Sequence, residues 1–228
     1  LFINYTMKNV IVQIFMDKKG WEEENRLDAQ SEQVLFLSNV LVKHYAKKIN
    51  SDYKLITKPI INFKHPTWER FQLFDDQWIN NYDNILYLDT DVFTWPEAPN
   101  IFELLDNTAF NIVRHCNNKT YNGHPMFNAG VFAINKLCAV EMRKFIKKEK
   151  WLKRFVIDPT WEDSKELNTI SQTANIKSNW LESKWNMKND PDAFFTHMWG
   201  NQKKLFPNMP AIIKAKNFVK KIIQFQKI

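Results

Sequence analysis

The sequence predicts an α/β fold with a mostly parallel central sheet flanked by helices. Three short segments are predicted to be strands: the apolar run Val10–Phe15, the segment Tyr53–Thr57 and the almost wholly apolar Ile85–Leu88. Two segments with helical spacing of apolar residues separate these runs. The order strand, helix, strand, helix, strand indicates parallel pairing through right-handed crossovers, and the α/β class follows from it.

The two helical segments are predicted from the positions of their apolar side chains. The first spans Ser31–Ile49, and its apolar residues recur every three or four positions, at Val34, Leu37, Leu41 and Tyr45. The second begins near Thr67, whose hydroxyl can cap a helix, and its apolar residues share one face: Phe71, Phe74 and Trp78. Each helix therefore has one face that can pack against the sheet.

Two further strands and two further helices are expected in the second half of the chain. The strands are Phe110–Arg114 and Phe127–Ile134, and a polar, turn-rich loop lies between them at Asn117–Pro125. The helices are expected around Lys136–Lys153 and near Trp161–Gln172. The sequence has no internal repeat and no low-complexity linker, so a single domain is the simplest interpretation.

Size and composition predict one globular domain over residues 1–228. Its core is expected over about 7–205, followed by a basic C-terminal extension over 206–228. An apolar content of 44% argues against disorder. The extension has helical spacing of apolar residues and is expected to pack on the domain, while contact with a membrane surface or with a further downstream domain is left open.

Charge and cysteine content bear on partners and location. A formal net charge of +7 favours anionic partners such as nucleotides, nucleic acid or acidic lipid surfaces. The two cysteines, Cys116 and Cys138, give no disulfide framework and fit a reducing compartment. The sequence has no run of about 18 apolar residues and no signal-peptide pattern, so we predict a cytoplasmic protein without a membrane span.

The most informative feature is a pair of carboxylates, Asp89 and Asp91, directly after the third strand. Side chains alternate along a strand, so both carboxylates face one side while Thr90 points away. Ligands of open α/β sheets bind just outside the carboxyl ends of such strands. Two adjacent carboxylates are costly there unless a cation neutralises them or one is protonated. The pair therefore predicts a hard divalent metal, Mn²⁺ or Mg²⁺, that can hold a phosphate-bearing substrate.

A second segment with the character of a ligand site lies within Phe127–Ile134. Small residues at Ala129 and Gly130 would let a ligand approach the backbone, and Asn128 offers both donors and acceptors. A strand with a bulge at the glycine explains the same residues equally well.

The third segment runs from Phe195 to Lys203. His197 can supply an imidazole nitrogen to the same metal. Gly200 would allow the backbone to meet a phosphate, with Lys203 as its positive partner. A buried, hydrogen-bonded structural histidine is the competing interpretation.

Taken together, the three segments resemble the signature of GT-A-fold glycosyltransferases. The resemblance rests on Leu86–Asp91, on Phe127–Val131, and on His197, Gly200 and Lys203, in that order along the chain. The closest likeness is to glycosyltransferase family eight, which includes glycogenin and bacterial lipopolysaccharide galactosyltransferases, and family thirty-four is a second relative. The order and spacing of the three motifs make the resemblance more specific than any one of them.

The resemblance implies a metal and a donor substrate. Asp89, Asp91 and His197 would bind Mn²⁺ (or Mg²⁺), which bridges the diphosphate of a nucleoside-diphosphate sugar, with a UDP-sugar as the expected donor. Gly200 and Lys203 would meet the diphosphate. The implied reaction is transfer of the sugar to a hydroxyl of a glycan acceptor with retention of anomeric configuration. No nucleic acid partner is expected.

The resemblance also assigns residues around the donor and the acceptor. Arg70 and Thr90 are expected on the donor side, and Asn128–Gly130 would line the sugar pocket. Trp185 is expected either on the acceptor side or, as a large aromatic residue, in the core.

One departure from the family pattern concerns the sugar. The family usually carries an Asp-Gln-Asp-x-Leu-Asn motif, which this chain replaces with Asp163–Asn168, placing Lys165 where the second aspartate belongs. Asp163 is the first candidate for a catalytic carboxylate near the sugar. Whether Glu162 or Glu166 compensates, or the sugar differs from the standard hexoses, is left open.

Two rival functions use the same residues differently. In a phosphohydrolase of the haloacid dehalogenase type, Asp89 would be the nucleophile and Asp91 the acid/base. That family normally carries this motif near the amino terminus and needs a later acidic pair at the end of another strand, and no good acidic pair follows a later apolar strand here. A non-enzymatic, basic carbohydrate- or nucleic-acid-binding protein would use its aromatic residues as stacking platforms, but it leaves the aspartate pair without a purpose.

Overall fold

The computed structural model describes residues 7–16, 29–61, 66–114, 120–121, 124–125, 127–146, 163–198 and 208–225. The two residues expected to meet a diphosphate, Gly200 and Lys203, lie outside the described residues. Part of the loop expected over Asn117–Pro125 and the end of the helix expected over Lys136–Lys153 also lie outside them.

The described part of the chain contains both strands and helices. Its strands are β1 (Asn9–Ile14), β2 (Asp52–Ile56), β3 (Asn84–Leu88), β4 (Val92–Thr94), β5 (Phe110–Arg114), β6 (Thr120–Tyr121), β7 (His124–Pro125), β8 (Phe127–Asn135), β9 (Ser178–Leu181), β10 (Met187–Lys188) and β11 (Phe195–His197). Its α-helices are α1 (Ala29–Lys48), α2 (Asp76–Ile79), α3 (Lys136–Arg143), α4 (Asp163–Thr173) and α5 (Pro210–Phe225). Short 3₁₀ helices occur at Pro66–Phe74, Ile101–Leu104 and Ser183–Trp185.

A six-stranded sheet in the order β2-β1-β3-β8-β5-β9 forms the centre of the fold. β1 pairs in parallel with β2 and β3, and β5 pairs in parallel with β9. β8 runs antiparallel to both of its neighbours, β3 and β5. The sheet is therefore mostly parallel, and the predicted α/β class is confirmed.

The central strands are buried on both faces of this sheet. Along β1, Val10 and Val12 belong to one apolar cluster while Ile11 belongs to another. Along β3, Ile85 and Leu86 divide between the same two clusters. Burial on both faces explains why these strands are continuous apolar runs in the sequence.

The helix predicted to begin near Thr67 takes a different form. Pro66–Phe74 is a 3₁₀ helix, and α-helical geometry is confined to the short α2 that follows. Trp68, Phe71 and Phe74 are spaced by three residues, which is the period of a 3₁₀ helix, and all three are buried. The tighter helix therefore directs three large side chains into the core together.

The C-terminal helix α5 packs on α1. Leu37 and Leu41 of α1 form one buried cluster with Ala211, Ala215 and Val219 of α5. Among the described residues, none of the helices is both long enough and apolar enough to cross a lipid bilayer.

Candidate functional site

A turn after β3 places Asp89 and Asp91 at the carboxyl end of that strand. The N–H of Val92 donates to the carbonyl of Asp89 at 3.1 Å, and β4 begins at Val92. The N–H of Asp89 in turn donates to the carbonyl of Gly130 on β8 at 2.8 Å. The turn is thus tied to the central sheet, so both carboxylates project from a fixed backbone.

A second, three-stranded sheet brings His197 to the aspartates. Its strand order is β10-β11-β4, and the antiparallel pairing of β11 with β4 sets His197 opposite Val92. The N–H of Met198 donates to the carbonyl of Asp91 at 2.9 Å. The strand that leaves the aspartate turn, β4, therefore pairs with the strand that contains the histidine, β11.

The three side chains converge on one point. His197 Nε2 lies 3.0 Å from Asp91 Oδ1 and 3.6 Å from Asp89 Oδ2, and one ligand atom from each residue lies within 4.8 Å of the others. Two atoms that are each about 2.1 Å from a shared ion lie about 3.0 Å apart at a right angle and about 3.6 Å apart at 120°. These separations, with two carboxylates and an imidazole as donors, fit a divalent cation.

Asp89 receives two hydrogen bonds on one of its oxygens. Arg70 Nη2 donates to Asp89 Oδ1 at 3.0 Å, and the Tyr87 hydroxyl donates to the same oxygen at 2.7 Å. Burial raises the pKa of Asp89, while the positive charge of Arg70 opposes that change. The other oxygen, Oδ2, is on the side of His197. The carboxylate is therefore oriented to present Oδ2 to a cation.

Arg70 forms ion pairs with two carboxylates, those of Asp89 and Asp163. The side chain is 2% exposed, and its Nη1 donates to the carbonyl of Ala129 at 2.7 Å. The same nitrogen lies 3.1 Å from Asp163 Oδ2, and the guanidinium lies 4.7 Å from the centre of the Tyr87 ring. One buried cation thus links Asp89 to Asp163. Direct contact of Arg70 with a donor stays a prediction.

Gly130 provides the space in which the histidine sits. A Cβ atom at this position would lie 2.1 Å from His197 Cε1 and 2.7 Å from Asp89 Oδ2. The N–H of Gly130 donates to Asn128 Oδ1 at 2.8 Å. The register of β8 against β5 also shifts in this stretch, which agrees with the alternative of an irregular strand, while the lining of a sugar pocket stays a prediction. The glycine is required by close packing against two of the candidate ligands.

The other predicted site residues, Asp163, Thr90 and Trp185, differ in how far they are buried. Asp163 is the first residue of α4 and is buried, and its Oδ1 accepts the N–H of Ser164 at 2.8 Å. Thr90 is half-buried in the aspartate turn. Trp185 is 1% exposed and packs against Phe195, with ring centroids 4.9 Å apart. Trp185 is therefore a core residue, and an acceptor-side role for it stays a prediction.

A buried polar network was not predicted from the sequence. It lies on the face of the sheet opposite Tyr87. Gln13 Nε2 donates to the carbonyl of Asp89 at 3.0 Å and to Ser38 Oγ at 2.9 Å. The Ser38 hydroxyl donates to the carbonyl of Val92 at 2.6 Å, and the Tyr53 hydroxyl donates to Gln13 Oε1 at 2.9 Å. These bonds hold both ends of the aspartate turn. A polar residue within an apolar strand is the signal that could have identified Gln13.

Solved glycosyltransferase structures share this fold. A glycosyltransferase involved in the glycosylation of the major capsid of PBCV-1 has a TM-score of 0.58 at 16% identity, covering 94% of this chain and 99% of that one. GlyE of Streptococcus pneumoniae TIGR4 has a TM-score of 0.58 at 14% identity and covers 94% of this chain, which spans 60% of that structure. The catalytic domain of Drosophila β1,4-galactosyltransferase 7 has a TM-score of 0.51 at 13% identity, covering 90% and 81%.

These likenesses establish a GT-A-like α/β fold, as the sequence predicted. They do not single out family eight or family thirty-four. No protein-family model matches the chain, and no curated protein matches it.

Proposed function

We propose that the protein is a metal-dependent glycosyltransferase. It would transfer a sugar from a nucleoside-diphosphate sugar, with UDP as the expected carrier, to a hydroxyl of a glycan acceptor. The observation that carries the proposal is the convergence of Asp89, Asp91 and His197 within 4.8 Å, at the end of a buried strand, in a glycosyltransferase-like fold.

The residues of the candidate centre have separate proposed tasks. Asp89, Asp91 and His197 hold Mn²⁺ or Mg²⁺, and Arg70 and Tyr87 fix the orientation of Asp89. When bound, the ion neutralises the charge that develops on the leaving diphosphate. The site also needs positive charge from the protein at the diphosphate.

That charge, and the sugar pocket, are assigned by resemblance to the family. Gly200 and Lys203 are proposed to contact the diphosphate, and Asn128–Gly130 to line the sugar pocket. Asp163 is the proposed carboxylate near the sugar, in a transfer that retains the anomeric configuration. Asp163 forms an ion pair with Arg70, which also pairs with the proposed metal ligand Asp89.

The test is turnover of nucleotide sugars with and without Mn²⁺ in wild type and in Asp91→Asn. We expect wild type to hydrolyse or transfer at least one donor only when Mn²⁺ is present. Asp91→Asn removes one charged ligand, so we expect turnover and Mn²⁺ affinity to fall about 100-fold. The matched control is Asp83→Asn, because Asp83 lies at the amino end of β3, where its carboxylate accepts the N–H of Lys8.

Three results would contradict this function. Full turnover in Asp91→Asn would remove the metal assignment. Metal-dependent hydrolysis of a phosphomonoester without any turnover of nucleotide sugars would favour the phosphohydrolase. Steeply salt-dependent binding of nucleic acid, with no effect of Mn²⁺ on nucleotide binding, would favour the non-enzymatic alternative.

A further inference from the structure

The nitrogen of His197 that faces away from the aspartates has a buried partner. His197 Nδ1 lies 2.9 Å from Oδ1 of Asn186. The two side chains are almost fully buried, with Asn186 2% exposed and His197 3% exposed. The contact is therefore shielded from water, which would otherwise compete for the ring nitrogen.

This contact places a proton on Nδ1 of His197. An amide oxygen only accepts hydrogen bonds, so the Nδ1 that faces Asn186 Oδ1 must donate. A neutral imidazole has a single N–H, so a proton on Nδ1 leaves a lone pair on Nε2. Nε2 is the atom that lies 3.0 Å from Asp91 and 3.6 Å from Asp89. Both carboxylates accept hydrogen bonds, so Nε2 can carry a proton of its own until a cation binds. A cation at the point where the three side chains converge would take the lone pair of Nε2, while the proton on Nδ1 stays with Asn186.

The surrounding fold holds Asn186 and His197 in register. Asn186 directly follows the 3₁₀ helix Ser183–Trp185, and its N–H donates to the first residue of that helix at 2.9 Å. Trp185 packs edge-on against Phe195, which lies two residues before His197 on β11. One buried aromatic contact therefore fixes the spacing between the amide and the imidazole.

Packing alone does not account for an asparagine at this position. Asn186 Nδ2 is buried and has no hydrogen-bond partner among the described residues. A buried amide with an unsatisfied N–H is less favourable than an apolar side chain of similar size. The hydrogen bond to His197 is the interaction that an apolar residue could not replace.

We propose that Asn186 is a positioning residue of the metal site. Its carbonyl oxygen fixes the tautomer and the ring orientation of His197, so that Nε2 is available to the cation. Partners of this kind behind a metal-binding histidine set the ligand's orientation and basicity. The proposal rests on the proposed function, because it assigns Asn186 its role through the metal ligand His197.

The tautomer can be observed in protein labelled with ¹⁵N-histidine, from long-range ¹H–¹⁵N spectra recorded without metal. The His197 signals are identified by their loss in His197→Gln. We expect Nδ1 to be protonated in wild type and in Asn186→Asp, whose carboxylate is also an acceptor. Asn186→Leu has no acceptor, so we expect its proton to move to Nε2. A wild-type Nδ1 without a proton overturns the proposal, whether or not the leucine variant folds.

Calorimetric titration with Mn²⁺ measures the consequence. We expect Asn186→Leu to bind Mn²⁺ about 10- to 100-fold more weakly than wild type, and Asn186→Asp to restore most of the affinity. The matched control is Asn84→Leu, because Asn84 is also buried but lies at the amino end of β3. Wild-type affinity in a folded Asn186→Leu overturns the proposal. If wild type itself binds no Mn²⁺, the proposed function fails, while the metal-free spectra still decide the tautomer.

Discussion

Replacing Gly130 with alanine is expected to abolish Mn²⁺ binding and sugar transfer. The added Cβ would lie 2.1 Å from His197 Cε1 and 2.7 Å from Asp89 Oδ2, so both groups would have to move. Neither has room to do so, because His197 is buried and Asp89 is held by Arg70 and Tyr87. Displacing two ligands at once is expected to lower Mn²⁺ affinity about 1,000-fold, at about 10- to 100-fold for each ligand. Calorimetry and donor turnover measure both effects.

Ala133→Gly is the control for this substitution. Ala133 is buried on the same strand, three residues beyond Gly130, where it pairs with Leu86 and Asn111. A glycine there weakens the strand by about 0.5–1 kcal/mol without adding an atom near the ligands. We expect it to keep wild-type Mn²⁺ affinity. A folded Gly130→Ala that binds Mn²⁺ as wild type does would contradict the geometry described for the site.

Replacing Arg70 with methionine is expected to cause the largest loss of stability. The guanidinium is buried and pairs with Asp89 at 3.0 Å and with Asp163 at 3.1 Å. Methionine has a similar length but no charge, so two largely buried carboxylates would lose their shared cation. Removing one partner of a buried ion pair typically costs about 3–5 kcal/mol. Urea denaturation should show this decrease in the free energy of unfolding, and donor turnover should be lost with it.

Arg143→Met separates the effect of burial from the effect of charge. Arg143 forms an ion pair with Asp76 through both of its terminal nitrogens, but this pair is exposed. Exposed ion pairs contribute little, so we expect the unfolding midpoint of Arg143→Met to stay close to that of wild type. Equal losses of stability in Arg70→Met and Arg143→Met would show that Arg70 has no special role in holding the carboxylates.

Elements with a strong local pattern could be predicted from the sequence. The helix expected over Ser31–Ile49 corresponds to α1, Ala29–Lys48. It could be predicted because its apolar residues repeat with helical spacing over about five turns. The strand ending before Asp89 was predicted because burial on both faces requires a continuous apolar run. Asp89 and Asp91 do converge, but they lie in the turn after β3 and not on the strand, so the alternation used to predict their shared face does not apply.

The position of His197 could not be predicted from local pattern. It depends on the pairing of β4 with β11, each of three residues, which is too short for a periodic signal. Its residue type made His197 a candidate ligand beside a structural interpretation, and the resemblance to a family favoured the ligand. The strand β9, Ser178–Leu181, and the antiparallel direction of β8 were missed for the same reason, since both depend on contacts between distant segments.

Buried polar residues were also beyond local pattern. Gln13, Tyr87 and Asn186 support the aspartates or the histidine through hydrogen bonds that no periodic pattern shows. The partner of Gln13 is 76 residues away and that of Asn186 is 11 residues away, while Tyr87 bonds its near neighbour Asp89. A polar residue is normally exposed, and only the folded arrangement shows that its hydrogen bonds are made inside.

A crystal structure with Mn²⁺ and UDP, with the anomalous scattering of manganese recorded, tests the central claim most directly. We expect one manganese peak about 2.0–2.3 Å from a carboxylate oxygen of Asp89, a carboxylate oxygen of Asp91 and Nε2 of His197, with the diphosphate as a further ligand. A bound nucleotide without manganese at these three side chains, or manganese bound elsewhere while they stay paired with each other, would contradict the assignment of this site as a metal-dependent sugar-transfer centre.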